Sequence, residues 1–296
     1  MTTIQSLLEE SPYVLADGAM GTMLFAAGLS HGDPPELWNL LHPDRVAAVH
    51  SAYLESGARI LLTNTFGGNR FRLGLHRLES QVCELNQVAA ELLREVVGRN
   101  GAGVLVAGDI GPSGQVLEPY GALTMEEARL GFAEQASALI EGGVDLIWIE
   151  TMADLKEVQA AVEGARQVSA DIPVVTTMTF DTHGRTMMGV TPEKAVAELS
   201  NLEPLALGGN CGNGPEEIIT VIEKMHAVAP EATLVAKANA GIPELVGGRT
   251  VYRATPEDMA DYAVRAYRAG ARIIGACCGS TPAHLQAIAA ALAAEV

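Results

Sequence analysis

Two unlike kinds of segment alternate along this chain, and that alternation limits its fold more than any other feature. Short apolar runs recur at 13–16, 59–63, 104–107, 144–149, 173–178, 205–208, 233–236 and 271–275. Stretches with helical character follow them at 44–56, 79–97, 125–141, 155–168, 192–200, 215–228, 256–268 and 282–295. Thr124, Thr191, Thr255 and Thr281 stand where helix N-caps belong. After the last three of these come Pro192, Pro256 and Pro282, suited to the first helical position. Ser56-Gly57, Gly142-Gly143 and Gly270 read as stops. Strands that alternate with helices pair in parallel through right-handed crossovers. Eight such units in 296 residues predict a closed (β/α)8 TIM barrel of class α/β, a single domain over 1–296. An open doubly wound sheet is the lesser alternative, since Asp17-Gly18-Ala19-Met20-Gly21-Thr22 lacks the glycine spacing of a dinucleotide fingerprint.

Charge narrows the function. With 19 Lys+Arg against 36 Asp+Glu the chain carries −17, which disfavours nucleic acid and anionic membrane surfaces as partners. No basic region precedes an apolar core at the N-terminus, and no apolar stretch is long enough to span a bilayer. A cytoplasmic location is the expectation. In a reducing compartment the four cysteines are better suited to metal binding or catalysis than to disulfides.

A barrel of this kind places its chemistry at the C-terminal ends of its strands. The residues following the eight runs are Asp17-Gly18, Asn64-Thr65-Phe66, Asp109, Glu150-Thr151, Thr179-Phe180-Asp181, Gly209-Asn210-Cys211-Gly212, Asn239-Ala240-Gly241 and Cys277-Cys278-Gly279. Three of the four cysteines stand at two of these ends. Neighbouring side chains of a regular strand face opposite ways. Cys277 and Cys278 can therefore meet one ion only if the backbone leaves strand geometry there, and Gly279 supplies that freedom. Cys211 lies one strand away in the ring and can lean toward the pair. Three thiolates suit zinc, and three protein ligands leave a fourth position open for an incoming thiol, which loses its proton on coordination. Packing as small hydrophobes is the competing reading of these cysteines.

The motifs Asp17-Gly18-Ala19-Met20-Gly21-Thr22, Asn64-Thr65-Phe66, Gly209-Asn210-Cys211-Gly212 and Gly275-Ala276-Cys277-Cys278-Gly279-Ser280-Thr281-Pro282 together resemble the homocysteine S-methyltransferase family over nearly the whole chain. That family includes the homocysteine-binding module of cobalamin-dependent methionine synthase and betaine–homocysteine methyltransferases. The resemblance implies a zinc-dependent enzyme that methylates the thiol of homocysteine to give methionine. Zinc would sit on Cys211, Cys277 and Cys278. Asp17 and Glu150 match positions that hold the substrate's amino group, and the amides around Gly18, Ala19 and Met20 match those that receive its carboxylate. Asn64, Asn210 and Asn239 fall in motifs that shape the pocket.

The donor implied is betaine or methylcobalamin on a separate corrinoid protein. No segment of the chain is left over for a cobalamin domain. Where animal-type betaine enzymes place aromatic residues, this sequence has Asp33, Gly67 and Thr151, so a cation–π cage is not visible. S-methylmethionine or a dimethylsulfonium compound, another thiol acceptor, a homo-oligomeric state, a non-catalytic zinc or corrinoid-protein binding module and a phosphate-binding barrel are the remaining alternatives. Elsewhere, Cys83 reads as ordinary helix packing and Trp148 as core. Arg185 reads as a surface turn, Glu79, Glu84, Glu91 and Glu95 as a solvated helix face, and the seven histidines as surface or supporting residues.

Overall fold

The structure, a computed structural model, describes residues 2–100 and 103–296. The barrel strands are β1 (Val14–Leu15), β2 (Ile60–Leu62), β3 (Leu105–Ile110), β4 (Leu146–Met152), β5 (Val174–Met178), β6 (Ala206–Cys211), β7 (Leu234–Ala238) and β10 (Ala271–Ala276). They pair in parallel in the order β1-β10-β7-β6-β5-β4-β3-β2. A parallel bridge between Ala16 and Ile60 joins the two ends of that order and closes the ring. Its hydrogen bonds run from Arg59 N–H to Leu15 O (2.7 Å) and from Asp17 N–H to Ile60 O (3.0 Å).

Six of the eight expected helices have the expected bounds: Met125–Glu141, Leu155–Val168, Pro192–Ser200, Pro215–Val228, Pro256–Arg268 and Pro282–Glu295. Their starts are chemically strong. Thr124 and Thr255 form reciprocal capping boxes with Glu127 and Asp258. The other two differ slightly: one is Pro43–Glu55, and the other is a 3-10 turn over Glu79–Gln81 followed by Val82–Asn100. Four shorter helices escape the periodicity, Ile4–Glu10, Gly21–Ala26, Trp38–Leu41 and Arg70–Gly74, because so few turns hold too few apolar repeats. A hairpin also escapes it, β8 (Glu244–Val246) with β9 (Arg249–Val251). Its signal was present: Gly247 and Gly248 both take positive φ, the backbone of a two-residue turn.

Alternation along the strands sorts side chains into two cores. One face of β3, β4, β5, β7 and β10 turns Leu105, Ala107, Leu146, Trp148, Val175, Val235 and Ile273 into the barrel, where Ile4 and Leu7 of the first helix pack against them. The other face carries residues such as Val106, Ile110, Ile147 and Ile149, which meet the surrounding helices. Continuing the interior face by two residues puts Asp109, Glu150 and Lys237 above that apolar layer. The Lys237 Nζ lies 5.4 Å from the centre of the Trp148 ring. No described helix is long and apolar enough to cross a membrane.

Trp148 fills the barrel interior and is fully buried, as expected. Trp148→Ala is expected to cost about 3–5 kcal/mol, read as a fall in the urea midpoint. Leu130→Ala, on an exposed helix face, should stay within about 0.5 kcal/mol of the parent.

Candidate functional site

Two strand ends bring the three cysteines together. Cys211 closes β6, and Cys277 and Cys278 follow β10. The strands stand in the order β6-β7-β10, and the three Sγ atoms lie within 4.8 Å of one another. The local backbone is unusual at both ends. Cys211 itself takes φ +63°, and Gly279 takes φ +80°. A Cβ at Gly279 would overlap the Tyr252 ring at 2.2 Å, so only glycine fits this turn. Cys277 N–H still donates to Ala238 O (2.7 Å) and Ala240 N–H to Cys278 O (2.9 Å), so the departing chain stays tied to β7. The Tyr252 ring packs against the turn at Gly279, and Tyr252 helps hold the Cys278 thiol below its usual pKa. Hydrogen bonds from the Cys211 and Cys277 thiols push the Cys278 pKa well below the usual thiol value.

The cysteines form one wall of a cavity of about 370 Å³. Its floor carries Asp17, Asp109, Glu150 and Lys237, all buried. Asp17 Oδ2 accepts from Leu62 N–H (2.8 Å), and Oδ1 accepts from Lys237 Nζ (2.8 Å). Burial alone would favour neutral Lys237, but Asp17 and Glu150 outweigh it and hold the ammonium, with its pKa raised. Burial pushes the Glu150 carboxyl up to about 8; Lys237 opposes the rise, while Cys277 and Asp17 add to it. Asp109 is raised well above the carboxylate range by burial and then by Glu150. Oδ1 of Asp109 and Oε2 of Glu150 have no hydrogen-bond partner among the described residues. The outer wall is made of connecting segments, with Gly32, Asp33, Pro34, Pro35 and Glu36 on one and Phe66, Gly67, Arg72 (in the short helix Arg70–Gly74) and His76 on the next.

The sequence candidates divide in two. Asp17, Gly18, Ala19, Met20, Asn64, Glu150 and the three cysteines line the cavity. The Ala19 N–H already donates to Ser280 Oγ (3.0 Å). Asn64 Nδ2 donates to Pro35 O (2.8 Å) and to Asn39 Oδ1 (3.0 Å), which fixes the outer loop. Asn210 and Asn239 stand behind the wall. Asn210 Oδ1 accepts from Thr151 N–H (2.9 Å) and Thr177 Oγ1 (2.7 Å), while its Nδ2 donates to Thr151 Oγ1 (2.7 Å). That clamp holds Thr151 at φ +61°, an unfavourable backbone for a β-branched residue. Asn239 Nδ2 donates to Gly212 O (2.7 Å), bracing the turn after Cys211.

Sequence reasoning gave no role to Asp109, Lys237 or Tyr252. The first two had a signal: each falls on the interior face of its run, where a charge needs a partner. Tyr252 had none, since it reaches the site from the hairpin. Two background readings are corrected. Cys83 is exposed, because Val82, Leu85, Ala89 and Leu93 take the inner face of its helix. His50 is wholly buried, with both ring nitrogens unpartnered among the described residues and burial lowering its pKa to about 4. Arg185 is an exposed turn residue and Glu79, Glu84 and Glu91 are exposed, as expected.

A carboxyl whose folded pKa exceeds its unfolded value binds its proton more tightly in the folded chain. It therefore withdraws stability as pH rises through the interval between the two values. For Glu150 that interval runs from 4.5 to about 8. Measured on metal-free protein, Glu150→Gln should gain in urea midpoint over the parent as pH rises from 4.5 to 8. A pH-independent difference would contradict the assignment.

The profile of the homocysteine S-methyltransferase family matches residues 14–292. The chain is 33% identical over 300 residues to the methionine synthase of Mycobacterium tuberculosis (strain ATCC 25618 / H37Rv), covering 95% of this chain and 24% of that protein. It is 32% identical over 297 residues to the methionine synthase of Mycobacterium leprae (strain TN), with the same coverages. It thus spans about a quarter of the length of these curated relatives. Among solved structures it is similar to the metallated form of the homocysteine methyltransferase MmuM from Escherichia coli. The TM-score is 0.80 at 26% identity, covering 97% of this chain and 99% of that one. With the thiol cluster, the barrel and a match over most of its length, this chain belongs to the homocysteine S-methyltransferase family.

Proposed function

We propose that the protein transfers a methyl group to the thiol of homocysteine, giving methionine, with zinc as its metal. The observation that carries this reading is the set of three sulfur atoms within 4.8 Å, on one wall of a cavity whose floor is charged. Cys211, Cys277 and Cys278 would hold the ion; an all-sulfur donor set fits zinc and leaves one position open. Zinc bound there would supply the Lewis acidity that makes a thiol a thiolate at neutral pH.

The remaining work falls to the chain. Asp17, Asp109 and Glu150, set around Lys237, form an anionic basin for the amino group of the acceptor. The turn at Gly18, Ala19 and Met20 offers the backbone amides of Gly18 and Met20 to its carboxylate, with the Ala19 N–H already held by Ser280 Oγ. Asn210 and Asn239 keep the backbone at Thr151 and Gly212 in place, so the reacting sulfur is positioned before the donor arrives. The acceptor sulfur bonds to the donor's methyl carbon as the carbon's bond to the donor breaks, in a single displacement.

The outer wall bears on the donor. Asp33, Gly67 and Thr151 all line the cavity, and Phe66 is the single aromatic residue among its lining. One ring cannot enclose a quaternary ammonium. A methylated corrinoid carried on another protein is therefore the donor we favour, with betaine as the second reading.

Replacing any one of Cys211, Cys277 and Cys278 with serine should remove bound zinc, measured by elemental analysis, and methionine formation together. Full turnover in a zinc-free Cys211→Ala variant would sink the reading. The donor is settled by assaying homocysteine with betaine, dimethylsulfonium compounds, S-methylmethionine and methylcobalamin in turn. Methylcobalamin should be the effective donor, and rapid turnover with betaine alone would reverse the preference.

A further inference from the structure

We propose that Arg72, with His76 beside it, anchors an oxyanion carried by the methyl donor; the assignment rests on the methyl-transfer reading above. Both residues line the cavity on its outer wall, and both are exposed, so a molecule entering the mouth can reach them. Arg72 stands apart from the other cations nearby. Lys237 is spent on Asp17 (2.8 Å). Arg70, two residues earlier on the same short helix, pairs with Glu134 (3.1 Å). Arg72 makes no ion pair among the described residues. Acids are at hand, since Asp33 and Glu36 stand on the same wall. Glu36 is buried, and its Oε1 is taken by Gly67 N–H (2.6 Å). Burial raises the Glu36 carboxyl; backbone N–H groups, then Arg72 and His76, oppose the rise from close by without touching it.

The Arg72 side chain is nonetheless held in place. Its Cδ and Nη1 run over Gly114, in the loop after β3, where a Cβ would stand 3.2 Å and 3.1 Å from them. Asn69 ties the helix to that loop. Its Oδ1 accepts from Arg72 N–H (3.0 Å), and its Nδ2 donates to Gly111 O (3.3 Å) and Pro112 O (3.2 Å). A guanidinium fixed along its stem, set in a cavity wall and left without a carboxylate is a ready fork for an oxyanion. The net charge of −17 and the acids of the cavity make this one positive position stand out, and its sign selects the group it takes. The same chemistry has two sources, the carboxylate of a small methyl-onium acid and the phosphodiester of a corrinoid nucleotide.

Steady-state kinetics of the zinc-loaded protein with homocysteine and two matched pairs of donors test the assignment. Dimethylsulfonioacetate carries a carboxylate and trimethylsulfonium does not; methylcobalamin carries the phosphodiester and methylcobinamide does not. In the pair that is turned over, Arg72→Gln should raise KM for the anionic member about ten- to a hundredfold, as expected for losing a charge-assisted contact. Its kcat, the KM of the anion-free member and the zinc content should stay near the parent's. Arg72→Lys should recover part of the loss, because it keeps the charge but not the fork. The pair that responds identifies the source of the oxyanion. Equal changes in KM for both members of that pair would overturn the assignment, and so would no change in either. Methionine from none of the four donors in the parent overturns the methyl-transfer reading, and the assignment falls with it. Turnover that is indifferent to residue 72 overturns the assignment alone.

Discussion

The buried contact between Asp17 and Lys237 holds the barrel and its site together. Asp17 follows the shortest strand of the ring, at the place where the two ends of the sheet must meet. Its backbone N–H bonds to Ile60 O and its carbonyl accepts from Ala276 N–H, so β2 and β10 both hold it. Its side chain adds Leu62 N–H on one oxygen and Lys237 of β7 on the other. One residue thus seals a seam that has little regular ladder of its own. Buried ion pairs are weak sources of net stability, because desolvation offsets much of the attraction. What this one contributes is placement: a cation at the centre of the ring, around which Asp109 and Glu150 can remain buried.

The rest of the site follows from that placement and from strand alternation. Below Lys237 the interior is apolar and includes Trp148. At its own level the interior is acidic, and above it stand the three sulfur atoms. Thiols and carboxyls so arranged suit a substrate with a soft atom at one end and a cation at the other. The two asparagines placed behind the wall show a division of labour. Asn210 and Asn239 spend their hydrogen bonds on backbone turns, so unfavourable φ values at Thr151 and Cys211 persist because their surroundings over-determine them.

Much of this was legible in the residues, for identifiable reasons. Helices opening on Thr-Pro were found to the residue, because a capping oxygen and a fixed φ mark a boundary sharply. Strand ends were placed too early: β3, β4 and β6 run on through Asp109, Glu150 and Asn210. A parallel ladder is made by backbone groups and is indifferent to whether the side chains are apolar. The convergence of the three cysteines could be anticipated from ring order alone, whereas the left-handed turn at Cys211 could not, since nothing marks a non-glycine residue for that conformation. Lys237 was passed over because it stands at the edge of an apolar run, where a long basic side chain usually reaches solvent. Contacts made by distant chain, such as Tyr252 on Cys278, have no local signature.

The cavity joins two kinds of material. Its thiol and carboxyl groups sit on strands, or within a few residues of a strand end, where each position is fixed by ladder bonds to two neighbours. Its mouth is built from connecting loops that can change length and composition without disturbing the ring. Under the proposed reaction, a barrel with this floor could exchange one methyl source for another by remodelling the entrance alone. The chemistry of the acceptor would be inherited with the scaffold, and that of the donor would be free to diverge.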